Sequence, residues 1–260
     1  MGSEPSGNLA EVFWSAQGEG PYVGCPTVFI RFGGCDLRCA WCDSPETWRP
    51  GATCRFERTA GSAEFETEQN PISSSRVLRA LEALHPQKGD FVSFTGGEPL
   101  LQPEMVEFLA GASQGLGLRT HLETHGLGVA ALERVVSRID VVAMDWKLAS
   151  DVRPVTADEP KPEGFGERHE LFLAQASTAA QVMVKLVVTG RSRDSEVDDV
   201  CERIQRVAPE TTLVLQPVTP FGKVRESVPA EDLLRLLKRC RARLGDVRLI
   251  PQTHKMYGAL

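Results

Sequence analysis

Residues 35–44 read Cys-Asp-Leu-Arg-Cys-Ala-Trp-Cys-Asp-Ser and carry three cysteines, Cys35, Cys39 and Cys42, separated by three and then two residues. The stretch follows an apolar run, residues 28–32, and a pair of glycines. Three thiolates on one short loop can ligate three irons of a [4Fe–4S] cluster, and the loop holds no fourth cysteine. An iron with an open position is reactive, whereas a cluster closed by four cysteines mostly carries electrons. The loop therefore predicts a cluster that acts on a bound ligand.

A zinc site is an alternative role for these cysteines. Zinc normally takes four ligands, often as two separated Cys/His pairs, and Cys39 and Cys42 supply one such pair. The sequence has no second C-x2-C pair. His121 and His125 are four residues apart, but their stretch alternates like a strand, where such side chains point the same way and lie far apart. A chance grouping of cysteines is the remaining alternative.

The composition of the chain is that of an ordinary soluble protein, with 260 residues, 42% apolar and 25% charged. Its formal net charge of −6 argues against a nucleic-acid or membrane-surface binder and favours a small-molecule partner. No apolar run reaches the roughly 18 residues of a membrane span, and the first residues lack a signal-peptide pattern. We therefore expect a cytoplasmic protein, in which clustered cysteines indicate metal binding rather than disulfides.

Short apolar runs alternate with helix-length segments along most of the chain, which predicts βαβ units and a parallel sheet. The predicted strands are residues 28–32, 91–94, 118–122, 141–144, 182–188, 212–215 and 247–250. From the strand 91–94 onward, a helix separates each strand from the next, and these helices are predicted at about 103–113, 129–137, 167–178, 194–207 and 230–244. We predict an α/β fold, a partial (β/α) barrel of six or seven mostly parallel strands, because a full eight-stranded barrel needs more units. Residues 1–260 are expected to form a single domain, with a polar excursion at about 49–73 that carries no assigned chemistry.

Polar residues follow several of these strands directly, and in parallel α/β folds the strand ends form one ligand-binding face. We therefore expect the cysteine loop to meet Thr95–Glu98, Glu123, Asp145, Lys147, Gln216 and His254. Gly96 and Gly97 would let a ligand approach the backbone and leave its N–H groups free. S-adenosylmethionine (SAM), chelating the open iron, would place its amino-acid end against this backbone.

The cysteine spacing together with Gly96-Gly97-Glu98-Pro99 resembles the radical SAM superfamily. Further segments narrow the resemblance to its 7-carboxy-7-deazaguanine synthases. These segments are Gln17-Gly18-Glu19-Gly20, Phe29-Ile30-Arg31-Phe32-Gly33-Gly34-Cys35, Trp41-Cys42-Asp43-Ser44, Thr95-Gly96-Gly97-Glu98-Pro99, Glu123-Thr124, Gln216-Pro217 and Gln252-Thr253-His254-Lys255. They span nearly the whole chain in the family's order.

The resemblance implies a lyase that contracts the ring of 6-carboxy-5,6,7,8-tetrahydropterin to 7-carboxy-7-deazaguanine, with loss of ammonia, on the route to queuosine-type nucleosides. A 5′-deoxyadenosyl radical takes a hydrogen atom from the substrate and later returns it, so that SAM acts as a catalytic cofactor. The implied cofactors are a [4Fe–4S] cluster, SAM and Mg²⁺. The implied partners are an electron donor such as flavodoxin or ferredoxin and a second copy of the chain in a homodimer.

The family's site residues carry over by motif. The implied SAM site consists of Trp41, Cys42, Asp43, Gly97, Asp145, Trp146, Lys147, Gln216, Pro217, Val218 and Thr219. The implied substrate site consists of Ala16, Gln17, Gly18, Glu19, Arg31, Thr95, His254 and the terminal carboxylate of Leu260. Magnesium is assigned to Ser44, where the family usually has threonine, and a helix-capping serine is the alternative.

The substrate residues fit this role chemically. The Arg31 guanidinium can grip the substrate carboxylate at two points, although an internal salt bridge is the alternative for an arginine in an apolar strand. The Gln17 amide can donate to and accept from the pterin edge, and Glu19 can accept from ring N–H groups.

Two competing functions remain. One is another radical SAM enzyme, such as a glycyl-radical-enzyme activase whose partner is a protein. The other is a non-enzymatic iron–sulfur or zinc protein. An Arg31→Ala variant distinguishes the deazaguanine synthase from another radical SAM enzyme, because in the synthase it should keep slow uncoupled SAM cleavage and lose the carboxypterin reaction. Metal analysis with an absorption spectrum distinguishes the enzyme from a structural zinc protein.

Overall fold

A computed structural model describes residues 4–155 and 161–259 of the chain. The strands of this part are, in chain order, β1 (Ser6–Gly7), β2 (Leu9–Ala16), β3 (Pro26–Phe32), β4 (Leu37–Cys39), β5 (Thr53–Glu57), β6 (Phe65–Gln69), β7 (Ile72–Ser73), β8 (Phe91–Gly96), β9 (Arg119–Thr124), β10 (Val141–Asp145), β11 (Val152–Pro154), β12 (Gln181–Val188), β13 (Thr212–Pro217) and β14 (Val247–Leu249). The α-helices are α1 (Ser74–Ala83), α2 (Pro103–Gly115), α3 (Val129–Val135), α4 (Phe165–Ala176), α5 (Asp194–Val207), α6 (Ala230–Arg241) and α7 (His254–Tyr257).

The centre of the fold is a ten-stranded sheet in the order β14-β13-β12-β10-β9-β8-β3-β2-β5-β6. Each pairing from β14 to β3 is parallel, which makes seven parallel strands in succession. The predicted α/β fold of six or seven mostly parallel strands is therefore confirmed. Their carboxyl ends lie at one edge of the sheet, as the alternation of strands and helices predicts.

Three further strands extend the sheet beyond β3. Strand β2 is antiparallel to β3, β5 is parallel to β2, and β6 is antiparallel to β5. Strands β5 and β6 come from the stretch interpreted as a polar excursion. The structure shows instead a hairpin that buries Cys54 and Phe56 and adds to the same sheet.

The helices bury regular apolar faces in one large core around the sheet. Helix α6 buries Leu233, Leu236 and Cys240, three and four residues apart, while its lysines and arginines remain on the other side. Cys201 is buried on the neighbouring helix α5. Both cysteines therefore serve helix packing. None of the helices in residues 4–155 and 161–259 is long and apolar enough to cross a bilayer.

Candidate active site

A cavity of about 450 Å³ lies at the carboxyl ends of the parallel strands. It brings together the cysteine loop and most of the strand-end residues expected to meet it. Of the residues predicted for the cluster, SAM, magnesium and substrate sites, the cavity is lined by Cys35, Cys39, Cys42, Trp41, Asp43, Ser44, Gly97, Asp145, Lys147, Gln216, Val218, Thr219, Ala16, Gln17, Gly18, Glu19, Arg31, Thr95 and His254. Residues scattered over almost the full chain thus form one site.

Backbone hydrogen bonds attach the cysteine loop to neighbouring segments. Cys35 donates its N–H to Trp48 O at 3.3 Å, and Ala40 donates its N–H to Asp151 O at 2.9 Å. Cys39 ends strand β4, where it is paired with Val152 of β11 in a small antiparallel sheet. The three thiols consequently face the cavity from a braced loop rather than from a mobile one.

The chemistry of these thiols fits a cationic metal group. Burial raises the pKa of Cys35 to about 12 and that of Cys39 to about 11, and it also raises the pKa of Cys42. Positive irons are what turn such buried thiols into thiolates. In the part of the chain that the structure describes, no three His, Cys, Asp or Glu side chains converge on a single-ion site. A [4Fe–4S] cluster does not need such convergence, because each thiolate binds a different iron.

Gly96, the last residue of β8, and Gly97 after it allow the strand end to lie against the cysteine loop. A Cβ on Gly97 would lie 2.1 Å from Gly34 O, and one on Gly96, whose φ is +118°, would lie 2.5 Å from the Phe32 backbone. Gly97 N donates to Phe32 O at 3.0 Å, and Glu98 N donates to Gly34 O at 2.8 Å. The expectation that the backbone N–H groups here are free for a ligand is therefore wrong for Gly97, since its N–H already donates to β3.

Glu98 is buried and joins the ends of two strands by hydrogen bonds, and it does not line the cavity. Its Oε1 accepts from Leu100 N at 2.9 Å and Thr124 Oγ1 at 2.8 Å, and its Oε2 accepts from His125 N at 2.9 Å. The side chain is 1% exposed. A carboxylate with three donors aimed at it cannot be replaced by an amide without turning an N–H toward a donor.

We predict that Glu98→Gln lowers the free energy of unfolding by about 1–3 kcal/mol, because a buried donor loses its acceptor. Urea unfolding followed by circular dichroism measures the change. Glu104→Gln is the matched control, since Glu104 pairs with Arg134 on the surface and such pairs contribute about 0–1 kcal/mol. Equal unfolding midpoints for the two variants would contradict a structural role of Glu98.

A chain of charges crosses the floor of the cavity. Lys185 Nζ is hydrogen-bonded to Glu19 and lies 3.4 Å from Asp145 Oδ2, which also pairs with Lys147 at 2.7 Å. Lys147 Nζ lies 4.3 Å from the centroid of the Trp41 ring. These contacts connect the loop at residues 17–20 with the end of β10.

Two buried acceptors of the cavity residues stand unpaired. Asp145 Oδ1 and Gln216 Oε1 have no hydrogen-bond partner among the described residues. Buried polar atoms are nearly always paired, so unpaired acceptors beside a cavity indicate where the donors of a ligand fit. SAM carries an ammonium group and ribose hydroxyls, which are donors of this kind. The residues present therefore fit both the cluster and SAM.

A second network holds the loop at residues 17–20 against β8 and β9. Gln17 donates from Nε2 to Glu123 Oε1 at 2.9 Å and accepts from Glu19 N at 3.0 Å. Thr95 Oγ1 donates to Glu123 Oε2 at 2.9 Å. Burial alone would raise the pKa of Glu123, but His121, Lys185 and Gln17 hold it well below its usual range. Glu123 therefore presents a fixed negative charge to the cavity.

Arg31 makes the internal salt bridge named as its alternative role, but only through one nitrogen. Its Nε donates to Glu11 Oε1 at 2.8 Å, and Arg55 pairs with the other Glu11 oxygen. Within the described residues, the terminal nitrogens of Arg31 have no hydrogen-bond partner, and the side chain is 19% exposed. The Glu11 contact thus orients Arg31 while two donors stay available in the cavity.

Known proteins resemble this chain over nearly its whole length. The Radical SAM superfamily model matches residues 29–163. A 7-carboxy-7-deazaguanine synthase of Geobacter sulfurreducens is 37% identical over 265 residues, covering 99% of this chain and 100% of the relative. The chain belongs to the 7-carboxy-7-deazaguanine synthase family. The family relative from Methanocaldococcus jannaschii is 30% identical, with 97% of this chain and 100% of the relative covered.

A solved structure, QueE from Escherichia coli, shares the fold. Its TM-score is 0.64 at 22% sequence identity, with 96% of this chain and 95% of that chain covered. This likeness confirms the expected fold, and the 37% identical relative confirms the family expected from the cysteine, glycine and terminal motifs.

Two of the described residues that the family resemblance implies, Trp146 and Pro217, do not line the cavity. Trp146 is 3% exposed and packs against His169, with ring centroids 4.8 Å apart. Pro217 likewise does not line the cavity. Neighbours in an extended strand face opposite sides, so Asp145 and Gln216 point inward and the residues after them do not. Leu260 lies outside the described residues.

Several cavity residues were not among the predicted site residues. They are Lys185, Trp48, Arg55, Gln252 and Lys255, among others. Lys185 had a signal in the sequence, because it is the single charge in the apolar strand Gln181–Val188. Like Arg31, it is a cation within an apolar strand, and such a residue needs a partner of opposite charge.

Proposed function

We propose that this chain catalyses the radical ring contraction of 6-carboxy-5,6,7,8-tetrahydropterin to 7-carboxy-7-deazaguanine, with loss of ammonia, on the route to queuosine-type nucleosides. The observation that carries the proposal is that one cavity is lined by the three loop cysteines and also by Gln17, Glu19 and Arg31. When bound, the cluster and SAM supply the radical that removes a hydrogen atom from the substrate. The chain itself binds and orients the two molecules.

The cluster would be held by Cys35, Cys39 and Cys42. SAM would lie between the cysteine loop and the ends of β10 and β13, where Asp145 and Gln216 have unpaired acceptors. The contact between Lys147 and the Trp41 ring would form the wall of the cavity on the SAM side.

The substrate would lie on the opposite side of the cavity. Arg31 offers its two terminal nitrogens to the carboxylate, a bidentate arrangement that guanidinium favours. Glu19 and Glu123 accept from N–H groups of the pterin edge, and the Gln17 amide bonds the Glu123 carboxylate and the Glu19 backbone N–H. His254 lines the same region, and a Cβ on Gly18 would lie 2.1 Å from its Nδ1. Gly18 is thus required for the C-terminal segment to approach the substrate loop.

Magnesium is assigned to Ser44 in this proposal. Ser44 precedes a short helix, Pro45–Trp48, but its hydroxyl does not cap that helix and instead donates to Asp43 Oδ1 at 3.2 Å. A hydroxyl beside a carboxylate at the cavity wall is a hard oxygen ligand of the type that Mg²⁺ prefers. The family's usual threonine differs by one methyl group.

We expect Ser44→Ala to raise the Mg²⁺ concentration needed for half-maximal turnover by about tenfold or more, because a metal-binding hydroxyl is lost. Ser44→Thr keeps the hydroxyl and should match the wild type. The rate of deazaguanine formation across a Mg²⁺ titration measures the effect. Identical titrations for Ser44→Ala and the wild type would remove Ser44 from the magnesium site.

The proposal extends to an electron donor such as flavodoxin or ferredoxin, to a homodimer and to a cytoplasmic enzyme of the lyase class. An anaerobic assay that leaves out one component at a time tests the function. Product detected by mass spectrometry should require reductant, SAM and the carboxypterin together, and should be stimulated by Mg²⁺. Product formed without SAM would contradict the radical mechanism.

A further inference from the structure

Lys185 is a buried cation that the predicted site leaves out. It lies within β12, between the parallel strands β10 and β13, and its register partners are Asp145 and Val214. The side chain is 13% exposed and lines the cavity. Other residues of β12 that are buried at this position of the sheet are apolar, such as Leu186 and Val187. An ammonium group in such a place needs compensation by charge.

The compensation comes from two carboxylates that belong to different parts of the proposed site. Nζ is hydrogen-bonded to Glu19 Oε2 and lies 3.4 Å from Asp145 Oδ2. Glu19 stands on the glycine-rich loop of the substrate side, whereas Asp145 ends strand β10 on the SAM side. Burial alone would lower the pKa of Lys185, but Glu19, Asp145 and Glu123 hold it well above its usual range. Lys185 therefore stays protonated and charged at physiological pH.

The other partners of Glu19 cannot take over this role. Its Oε1 accepts from the Nε2 atoms of Gln216 at 3.2 Å and Gln252 at 2.8 Å, and both donors are neutral amides. Asp145 has a second cation, Lys147, at 2.7 Å, but Lys147 is not bonded to Glu19. Among the described residues, Lys185 is thus the one cation that contacts both carboxylates.

We propose that Lys185 is a positioning residue that fixes Glu19 relative to Asp145 and so couples substrate binding to the cleavage of SAM. The inference rests on the proposed function, since it takes Glu19 as a substrate ligand and Asp145 as a SAM ligand. Without Lys185, Glu19 keeps only neutral donors, and the loop at residues 17–20 loses its ionic attachment to the sheet. Substrate would then bind less tightly and less precisely, and SAM would be cleaved without product.

Lys185→Met keeps most of the volume of the side chain and removes its charge. We expect the dissociation constant of the carboxypterin, measured by equilibrium dialysis against cluster-loaded protein with SAM, to rise at least about tenfold. The ratio of 5′-deoxyadenosine to deazaguanine should rise as well. Iron content should stay near that of the wild type, because Lys185 contacts none of the cysteines. Lys238→Met, a lysine on the exposed side of α6, is the matched control and should leave both quantities unchanged.

For Lys185→Met, a dissociation constant and a ratio of 5′-deoxyadenosine to deazaguanine within twofold of the wild type would overturn the proposal. A loss of iron and of thermal stability with an unchanged ratio would overturn it as well. Lys185→Gln gives a second arm if Lys185→Met does not fold. It keeps a polar side chain but removes the charge, so its ratio of 5′-deoxyadenosine to deazaguanine should also rise above that of the wild type. A ratio equal to that of the wild type would then overturn the proposal. Wild-type protein that forms no deazaguanine would instead contradict the proposed function.

Discussion

Cys39→Ser should abolish deazaguanine formation, with a loss of at least about a thousandfold, since the chemistry belongs to the cofactor rather than to any side chain. Serine has the shape of cysteine but does not supply a thiolate to iron. Cys39 ends β4 and pairs with Val152, so its position is set by the backbone and does not depend on the side chain. The variant should fold, lose most of its iron and sulfide, and lack the brown colour of an iron–sulfur protein.

Cys25→Ser is the matched control for this experiment. Cys25 is a half-exposed free cysteine that does not line the cavity, and its contacts are made by its backbone. It should keep the iron content and the turnover of the wild type. A Cys39→Ser protein with full iron content would contradict the three-cysteine cluster, and zinc in place of iron in the wild type would favour the structural metal site.

Arg31→Met should reduce kcat/KM for the carboxypterin between about 30-fold and about 5,000-fold, because removing one partner of a buried charge pair costs about 2–5 kcal/mol. The loss should fall on the substrate reaction, since Arg31 lines the cavity and its two terminal nitrogens have no hydrogen-bond partner among the described residues. Slow cleavage of SAM without product should persist, because Arg31 contacts neither the cysteine loop nor the end of β10. Product and 5′-deoxyadenosine, quantified in one chromatographic run, measure both effects.

Glu11→Gln distinguishes the substrate contact from the internal salt bridge. It removes the charge that pairs with Arg31 and Arg55 and leaves both arginines in place. If Arg31 only served Glu11, the two variants would lose similar activity and similar stability. We expect the Glu11→Gln protein to retain most of its turnover, and an equal loss in both variants would assign Arg31 to the fold.

The parallel part of the fold was predictable because its strands are continuous apolar runs separated by helices of regular period. The hairpin of β5 and β6 was not. Its strands, Thr53–Glu57 and Phe65–Gln69, have five residues each and bury few side chains, among them Cys54 and Phe56. Such short, one-sided strands at a sheet edge resemble polar loops in sequence, and pairing with β2 decides their conformation.

The site was predictable to the extent that strand ends and family motifs fix positions. The rule that parallel strands end at one face brought Thr95, Asp145 and Gln216 together correctly. The direction of each side chain is a separate question, and strand alternation turns Trp146 and Pro217 away from the cavity. The backbone N–H groups of Gly97 and Glu98 could not be assigned from sequence, since their acceptors lie on β3 and the cysteine loop.

The most direct test of the proposed reaction is a count of product molecules against SAM molecules. Cluster-loaded protein would be incubated anaerobically with reductant, Mg²⁺, an excess of the carboxypterin and much less SAM. We predict that 7-carboxy-7-deazaguanine accumulates well beyond the SAM supplied, and that SAM is recovered, because the hydrogen atom returns to it in each cycle. No product from protein with a full cluster, or product that stops at the amount of SAM supplied, would contradict this reaction.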